Sequence, residues 1–336
     1  MTALVPAPTV PARCGLRNLA AIAIAAAAAG FLYLQFDPIP SGISPEAAGI
    51  DVGTLTAELD QSAETTQPVS LEEAGDEVGG SSPGPLPIVP APARPLEGRA
   101  ALEHDLARLE QAHDRVSRLA DYTATFCRCE RKGSQLGETD VTQLKVRHQP
   151  FSFYMKWLNG DVDREVMFVE GQNGGEMLVK LGGLRGRLLP TLHVNPNGAV
   201  AMRECRHPAT EVGLLHLTRR MIGYRRRDVA QADGITCRVI PDGQFQQRAC
   251  DVVVIEYDRP ELSPDYRKTL HYIDRELGIP VLVKSYGWPA EITGADPSRL
   301  DETTLVEQYA YTNIRLNPGL SVRDFDRDSP HYRFSR

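Results

Sequence analysis

Asp121–Leu158, DYTATFCRCERKGSQLGETDVTQLKVRHQPFSFYMKWL, is the stretch whose reading decides the fold. β-Branched and aromatic residues recur along it, Gly133 and Gly137 punctuate it and Pro150 bars helix, so it reads as three consecutive strands joined by tight turns. If Phe151–Leu158 is extended, its period of two puts Phe151, Phe153, Met155 and Trp157 on one face and Ser152, Tyr154 and Lys156 on the other. The first set is a wide apolar wall of adaptable side chains.

Beyond this meander, strands are expected at Arg164–Glu170, Glu176–Leu181, Ile235–Ile240, Cys250–Tyr257, Lys268–Asp274, Pro280–Tyr286 and Thr303–Leu316, separated by Asp, Gly and Pro turns. Two helices interrupt them. Over Arg99–Leu119, Leu102, Leu106, Leu109, Val116 and Leu119 recur at steps of three, four and seven; over Thr210–Ala230, Leu214, Leu217, Met221 and Tyr224 do the same, with Thr210 as the expected N-cap. Arg219, Arg220, Arg225, Arg226 and Arg227 crowd the second helix's later half, where cations suit the helix dipole; a solvated end is the default over an anion-binding patch. About ten strands, adjacent in order, and two helices make a mainly β, α+β fold: one large antiparallel sheet that must curl into a half-open β-barrel under two covering helices.

Upstream, the chain changes character twice. Asn18–Phe36 carries no charge and is about long enough to cross a bilayer as a helix; Arg13 and Arg17 precede it and Asp37 follows, which places residues 1–17 in the cytoplasm and the rest outside. Because the apolar run continues through Phe31, Leu32, Tyr33 and Leu34, past any cleavage point near Ala27–Gly30, an uncleaved anchor at 18–36 is favoured over a signal peptide. Cys14 precedes the apolar run and is not a lipid-attachment cysteine. Residues 37–98, rich in Pro, Gly, Ser and acids with few aromatics, read as a disordered tether ahead of a folded domain at 99–336. The formal net charge of −7 belongs to that tether; beyond it acids and bases nearly cancel, which argues against nucleic acid as a partner.

The titratable residues offer three constellations. Cys127 and Cys129, with Cys205 and His207, make a conceivable zinc set, but strand spacing splays Cys-x-Cys apart, so no metal and no cofactor is expected. Cys237 and Cys250 sit on successive strands and are the best disulfide candidates, leaving an odd thiol among the exported cysteines. No Ser-His-Asp order, P-loop or HExxH motif is present. His207 with Glu211 is the remaining base-and-orienter pair for a hydrolase, against the ordinary reading of His207–Pro208 as a turn. Glu165, Glu170 and Glu307 are expected on strands, in reach of Arg147 or Arg206.

DYTATFCRCERKG (121–133), LKVRHQPFSFYMKW (144–157), EVMFVEGQN (165–173), RHPATEVGL (206–214) and EQYAYTNIRLNPGLSVRDFD (307–326) resemble a bacterial envelope family known as domain of unknown function 1571, similar in fold to the LolA and LolB lipoprotein carriers. The resemblance spans nearly all of 99–336. It implies a LolA-like unclosed barrel with helices over its mouth and an apolar interior for acyl chains. The expectation is therefore a membrane-anchored, periplasm-facing carrier or sensor, non-enzymatic, that binds a lipid or lipoprotein acyl chain through Phe151, Phe153, Met155 and Trp157. The alternatives are a module with a packed core that holds an envelope protein partner, and a hydrolase using His207/Glu211.

Overall fold

The structure, a computed structural model, describes residues 89–289 and 299–335. The expected anchor and most of the expected tether lie outside those residues. Among the described residues no helix is long and apolar enough to cross a membrane.

The strands are β1 (Leu96–Glu97), β2 (Asp121–Lys132), β3 (Gln135–Leu136), β4 (Asp140–Arg147), β5 (Ser152–Trp157), β6 (Glu165–Val169), β7 (Met177–Lys180) and β8 (Leu192–Val194). After them come β9 (Ile235–Phe245), β10 (Arg248–Tyr257), β11 (Lys268–Asp274), β12 (Pro280–Tyr286) and β13 (Leu305–Leu316). The helices are α1 (Gly98–Ser117), α2 (Gly183–Leu188), α3 (Ala199–Glu204), α4 (Leu214–Gln231) and α5 (Leu300–Thr304). All strands join one antiparallel sheet in the order β1-β9-β10-β11-β12-β13-β2-β4-β5-β6-β7-β8, with β3 off the path beside β2. The chain starts at one edge with β1, crosses by α1 to β2 in mid-sheet and works out to β8. It then crosses back by α4 to β9 and returns strand by strand until β13 closes against β2.

The sheet curls because one face has the two long helices to cover. A single apolar cluster takes in Val281 and Val283 of β12, Tyr309 and Tyr311 of β13, Leu144 of β4, Phe168 of β6 and Met177 of β7, together with Val116 of α1 and Leu214 of α4. Strands that far apart in the order share one cluster only if the sheet wraps around it. Toward the β9 edge the same concave face packs Cys237, Val239, Val253 and Ile255 against Ala101 and Leu102 of α1.

Under the helices lies a buried ionic knot. Asp105 of α1, fully buried, takes Arg225 Nε of α4 at 2.6 Å and His271 Nε2 of β11 at 2.8 Å. Arg225 also reaches Asp228, which accepts the Tyr257 hydroxyl at 2.9 Å. Burial pushes the Asp105 carboxyl up, and His271 and Arg225 more than reverse that, taking it down to about 2. Arg225 is thus no solvated helix end. Arg226 pairs with Glu110 at 2.8 Å, and Arg227 lies over the Tyr224 ring at 4.6 Å. The patch divides because α4 packs on α1 through this face.

The convex side of β5 to β7 is covered as well. Tyr154, Met167, Val169 and Leu178 are buried beneath Phe325, Tyr332 and Phe334 of the C-terminal tail. Strands β5 to β7 are therefore apolar on both sides, as their near-continuous runs SFYMKW, EVMFV and MLVK require.

Several expectations are corrected. The folded unit begins before residue 99: Val89 N–H donates to Gln111 Oε1 at 2.8 Å, and Leu96 pairs with Val239 in the sheet. Thr210 does not cap α4; residues 209–211 form a short 3-10 turn, the helix starts after Gly213, and the Thr210 hydroxyl donates to Asn197 Oδ1 at 3.0 Å. Residues 300–304 are helical, so the last strand starts at Leu305. Cys237 and Cys250 are both free. Cys237 lies opposite Ile255 and Cys250 opposite Gly243, several rows apart at about 3.3 Å per residue and beyond disulfide reach.

Candidate functional site

Working outward from β5, the register sets Phe153 beside Val146 and Phe168, Met155 beside Leu144 and Val166, and Trp157 beside Thr142. Phe153 is packed solid, stacked on Phe168 with ring centroids 5.7 Å apart. Phe151 falls just outside the strand, half-buried at the lip, its ring edge-on to His216 at 5.6 Å. It does not line the space the other three share. That space is an apolar cavity of about 110 Å³, walled by Phe126, Phe153, Met155, Trp157, Val166, Met177 and Tyr311 and roofed by Ala201 of α3 and Leu217 of α4. Three of the four aromatic and Met positions read from the sequence thus meet at one cavity. Phe126, Met177, Tyr311 and Ala201 were not singled out, because pairing β13 with β2 and folding α3 over the sheet join residues far apart in the chain.

At the α3 side of the cavity, Arg164 stacks over the Trp157 ring at 4.8 Å and forms an ion pair with Glu204 of α3. The pair ties the short helix to the loop before β6.

The opposite end of the cavity is polar. Glu130 of β2 and Glu307 of β13 lie directly across from one another, each about 5% exposed. Like charges so placed repel, and partners offset the repulsion. Glu307 accepts from Tyr266 at 2.9 Å, Ser285 at 3.1 Å, His207 Nε2 at 3.2 Å and Tyr309 at 3.2 Å, with Arg206 Nε at 3.3 Å. Glu130 accepts the Tyr309 hydroxyl at 2.5 Å and the Arg206 backbone N–H at 3.1 Å. Burial raises the Glu307 carboxyl, but the His207, Tyr266 and Arg206 partners carry it down to about 2. Arg220 of α4 reaches the same wall, and its Nη1 is buried with no hydrogen-bond partner among the described residues.

The two sequence constellations at this end come apart. His207 is held by Glu307 rather than Glu211, because the turn before α4 aims its ring at β13. The zinc set is split by the sheet. Phe126, Arg128 and Glu130 face the cavity, so Cys127 and Cys129 face away; Cys127 packs with Val141, Leu282 and Ala310, and Cys129 bonds the Gly137 carbonyl. Cys205 is on the cavity side with His207. Burial pushes Cys127 up to about 11 and also raises Cys129 and Cys205, which keeps all three as neutral thiols. Of the expected carboxylate partners, Glu307 does meet Arg206. Glu165 instead accepts the Arg333 backbone N–H at 3.0 Å, Glu170 accepts that of Phe151 at 3.2 Å, and Arg147 lies over the Phe325 ring at 4.8 Å.

One further residue positions the roof. The Tyr122 hydroxyl accepts the Leu214 N–H at 2.9 Å and so caps α4 from the floor of the sheet. Only glycine fits before it: Gly213 has φ of 106°, and a Cβ there would lie 2.5 Å from the Tyr122 hydroxyl.

The site is thus a curled antiparallel sheet with an apolar hollow beneath α3 and the start of α4. The chain belongs to the family described as protein of unknown function (DUF1571), whose model matches residues 119–334. No curated protein matches it. Among solved structures it is similar to the Mycobacterium tuberculosis lipoprotein LppX, at 14% identity and TM-score 0.37, covering 66% of this chain and 98% of that one. It is also similar to a LolA superfamily protein from Nitrosomonas europaea, at 11% identity and TM-score 0.25, covering 66% and 97%. MucB, solved in complex with MucA, is similar at 12% identity and TM-score 0.34, covering 64% and 59%. Likeness at this level says nothing of what this chain binds.

Proposed function

We propose that the protein is a membrane-anchored envelope carrier or sensor that holds the acyl part of a lipid or lipoprotein in the cavity beside β5, outside the cytoplasmic membrane. The observation that carries this is the apolar hollow of about 110 Å³ in the concave face beside β5. Ligand pockets for whole small molecules run to roughly 300–1,000 Å³, so the hollow suits the end of a chain rather than all of it. Each methylene buried there contributes about 0.8 kcal/mol, and four give on the order of 3 kcal/mol with no polar contact required. Hydrolysis at His207 has less support: its partner is a buried carboxylate with a full set of donors, and no hydroxyl or thiol nucleophile bonds it among the described residues.

Titration with a fluorescent fatty acid tests the reading. Saturable uptake by the wild type is expected, and Val166→Phe, which fills the hollow from β6, should abolish it in a protein that still melts cooperatively. Uptake that is absent from the wild type, or undiminished in the variant, would put the ligand elsewhere or remove it.

A further inference from the structure

Leu181–Arg203, LGGLRGRLLPTLHVNPNGAVAMR, holds three arginines and no Asp or Glu, in a chain with a formal charge of −7. It contains α2 and α3. Leu184 is 75% exposed and Leu188 84%, one helical turn apart and so on one side of α2; on α3, Val200 is 43% and Met202 37% exposed. Two leucines left in water forgo the stabilisation that burial would give them.

The exposure is built in rather than loose. A Cβ at Gly186 would lie 1.9 Å from the Leu181 carbonyl oxygen, and one at Gly182 would lie 2.4 Å from that of Val162. Gly182 sets the start of α2 against the loop before β6, and Gly186 sets the helix onto the Leu181 carbonyl. Arg187 and Arg203 are exposed and have no ion-pair partner among the described residues; Arg185 is exposed beside them. Most of the neighbouring acids are engaged: Glu204 with Arg164, Asp163 with Lys156 at 3.2 Å, and Glu176 opposite His193 at 3.6 Å. Asp161 stands behind Gly182. α3 also lends Ala201 and Glu204 to the cavity wall, so the exposed side chains border the cavity.

We propose that α2 and α3 form a membrane-docking face for an anionic bilayer, with Leu184 and Leu188 inserted below the headgroups and Arg185, Arg187 and Arg203 at the phosphates. Apolar side chains flanked by arginines and lacking acids are what an interfacial helix presents. Hot spots of protein interfaces are enriched in Trp, Tyr and Arg with Leu under-represented, and this face exposes leucines and carries neither aromatic. The face stands whether or not the cavity takes an acyl chain. If both hold, docking sets α3 and the cavity beside the lipid.

The test uses the full chain with Cys14 and Cys205 replaced by Ser and Leu188→Cys labelled with an environment-sensitive fluorophore. It is reconstituted into phosphatidylcholine vesicles with or without phosphatidylglycerol, so any anchor acts equally in both. A control label at Glu276→Cys sits on the β11–β12 turn, several strands away. The Leu188 label should shift to the blue only in the anionic vesicles and reverse with salt, while the control stays in water. Each basic side chain near an anionic surface contributes about a fivefold factor, so Arg185→Gln/Arg187→Gln/Arg203→Gln should weaken docking about a hundredfold and remove the shift with the melting curve unchanged. A Leu188 label that stays in water with both vesicles, or shifts equally in both and ignores the arginine variant, overturns the proposal.

Discussion

The two ends of the concave face are built from the same kind of strand and come out differently. Near β9 to β11, α1 and α4 lie on the sheet and are fastened to it by Asp105, Arg225 and His271, with Val239, Val253 and Ile255 packed against α1. Near β5 to β7 the roof is only the short α3 and the start of α4, and the side chains beneath leave a hollow of about 110 Å³ under it. A hollow in a protein interior therefore needs no special wall residues. It needs a place where the curl of the sheet outruns the helices available to fill it, and the ionic knot at one end fixes where that place is.

The largest effect is expected at the knot. Asp105→Ala removes one of the two carboxylates that hold Arg225 and the carboxylate that holds His271, which should cost about 3 kcal/mol in urea unfolding. A loss below 1 kcal/mol would mean the helices are not fastened there. The same carboxylate, together with Glu307, contributes to acid stability. Both are depressed in the folded state to about 2 from ordinary values of 3.8 and 4.5, so the stability they contribute is complete above those ordinary values and drains away as pH falls toward 2. Glu307→Gln should flatten the acid limb of a stability profile recorded between pH 5 and pH 2; an unchanged limb would assign it to other groups.

Gly213→Ala forces a Cβ into both a left-handed backbone and the Tyr122 hydroxyl, and about 2 kcal/mol or more should be lost by thermal unfolding. Next comes a paired substitution that sets the two ends against each other. Val239→Phe overpacks the filled end and should cost about 1–3 kcal/mol, while Val166→Phe at the hollow should cost close to nothing. Equal costs would erase the distinction. The smallest effect is Tyr122→Phe, which leaves the Leu214 N–H without its acceptor and should cost about 1 kcal/mol.

The wall of the hollow was legible because alternation along a single strand is local: Phe153, Met155 and Trp157 share a face whatever the strand pairs with. The sheet's long meander was legible for the same reason. What joins distant strands was not. Glu130 meets Glu307 only because β13 returns to β2, and Asp105 meets His271 only after a helix and a strand far apart in the chain are brought together. The helix start at Gly213 was obscured by Thr210, a good capping residue whose hydroxyl is used elsewhere; the glycine immediately before Leu214 was the signal to weigh. The tail over Tyr154 also left a trace, since EVMFV and MLVK do not alternate, and a strand apolar at every position is covered on both sides.

The central claim, that the hollow exists to hold part of an apolar chain, is most directly tested by native mass spectrometry of residues 77–336, the compact unit that contains every core cluster. The full chain would be extracted from envelope membranes without added lipid and the fragment released from it by proteolysis within the tether. The account expects adducts of lipid mass on the wild type, retained by Val239→Phe and lost from Val166→Phe. A clean apo mass for the wild type, with no uptake of added fatty acid, would contradict it and leave the hollow an unused gap in the packing.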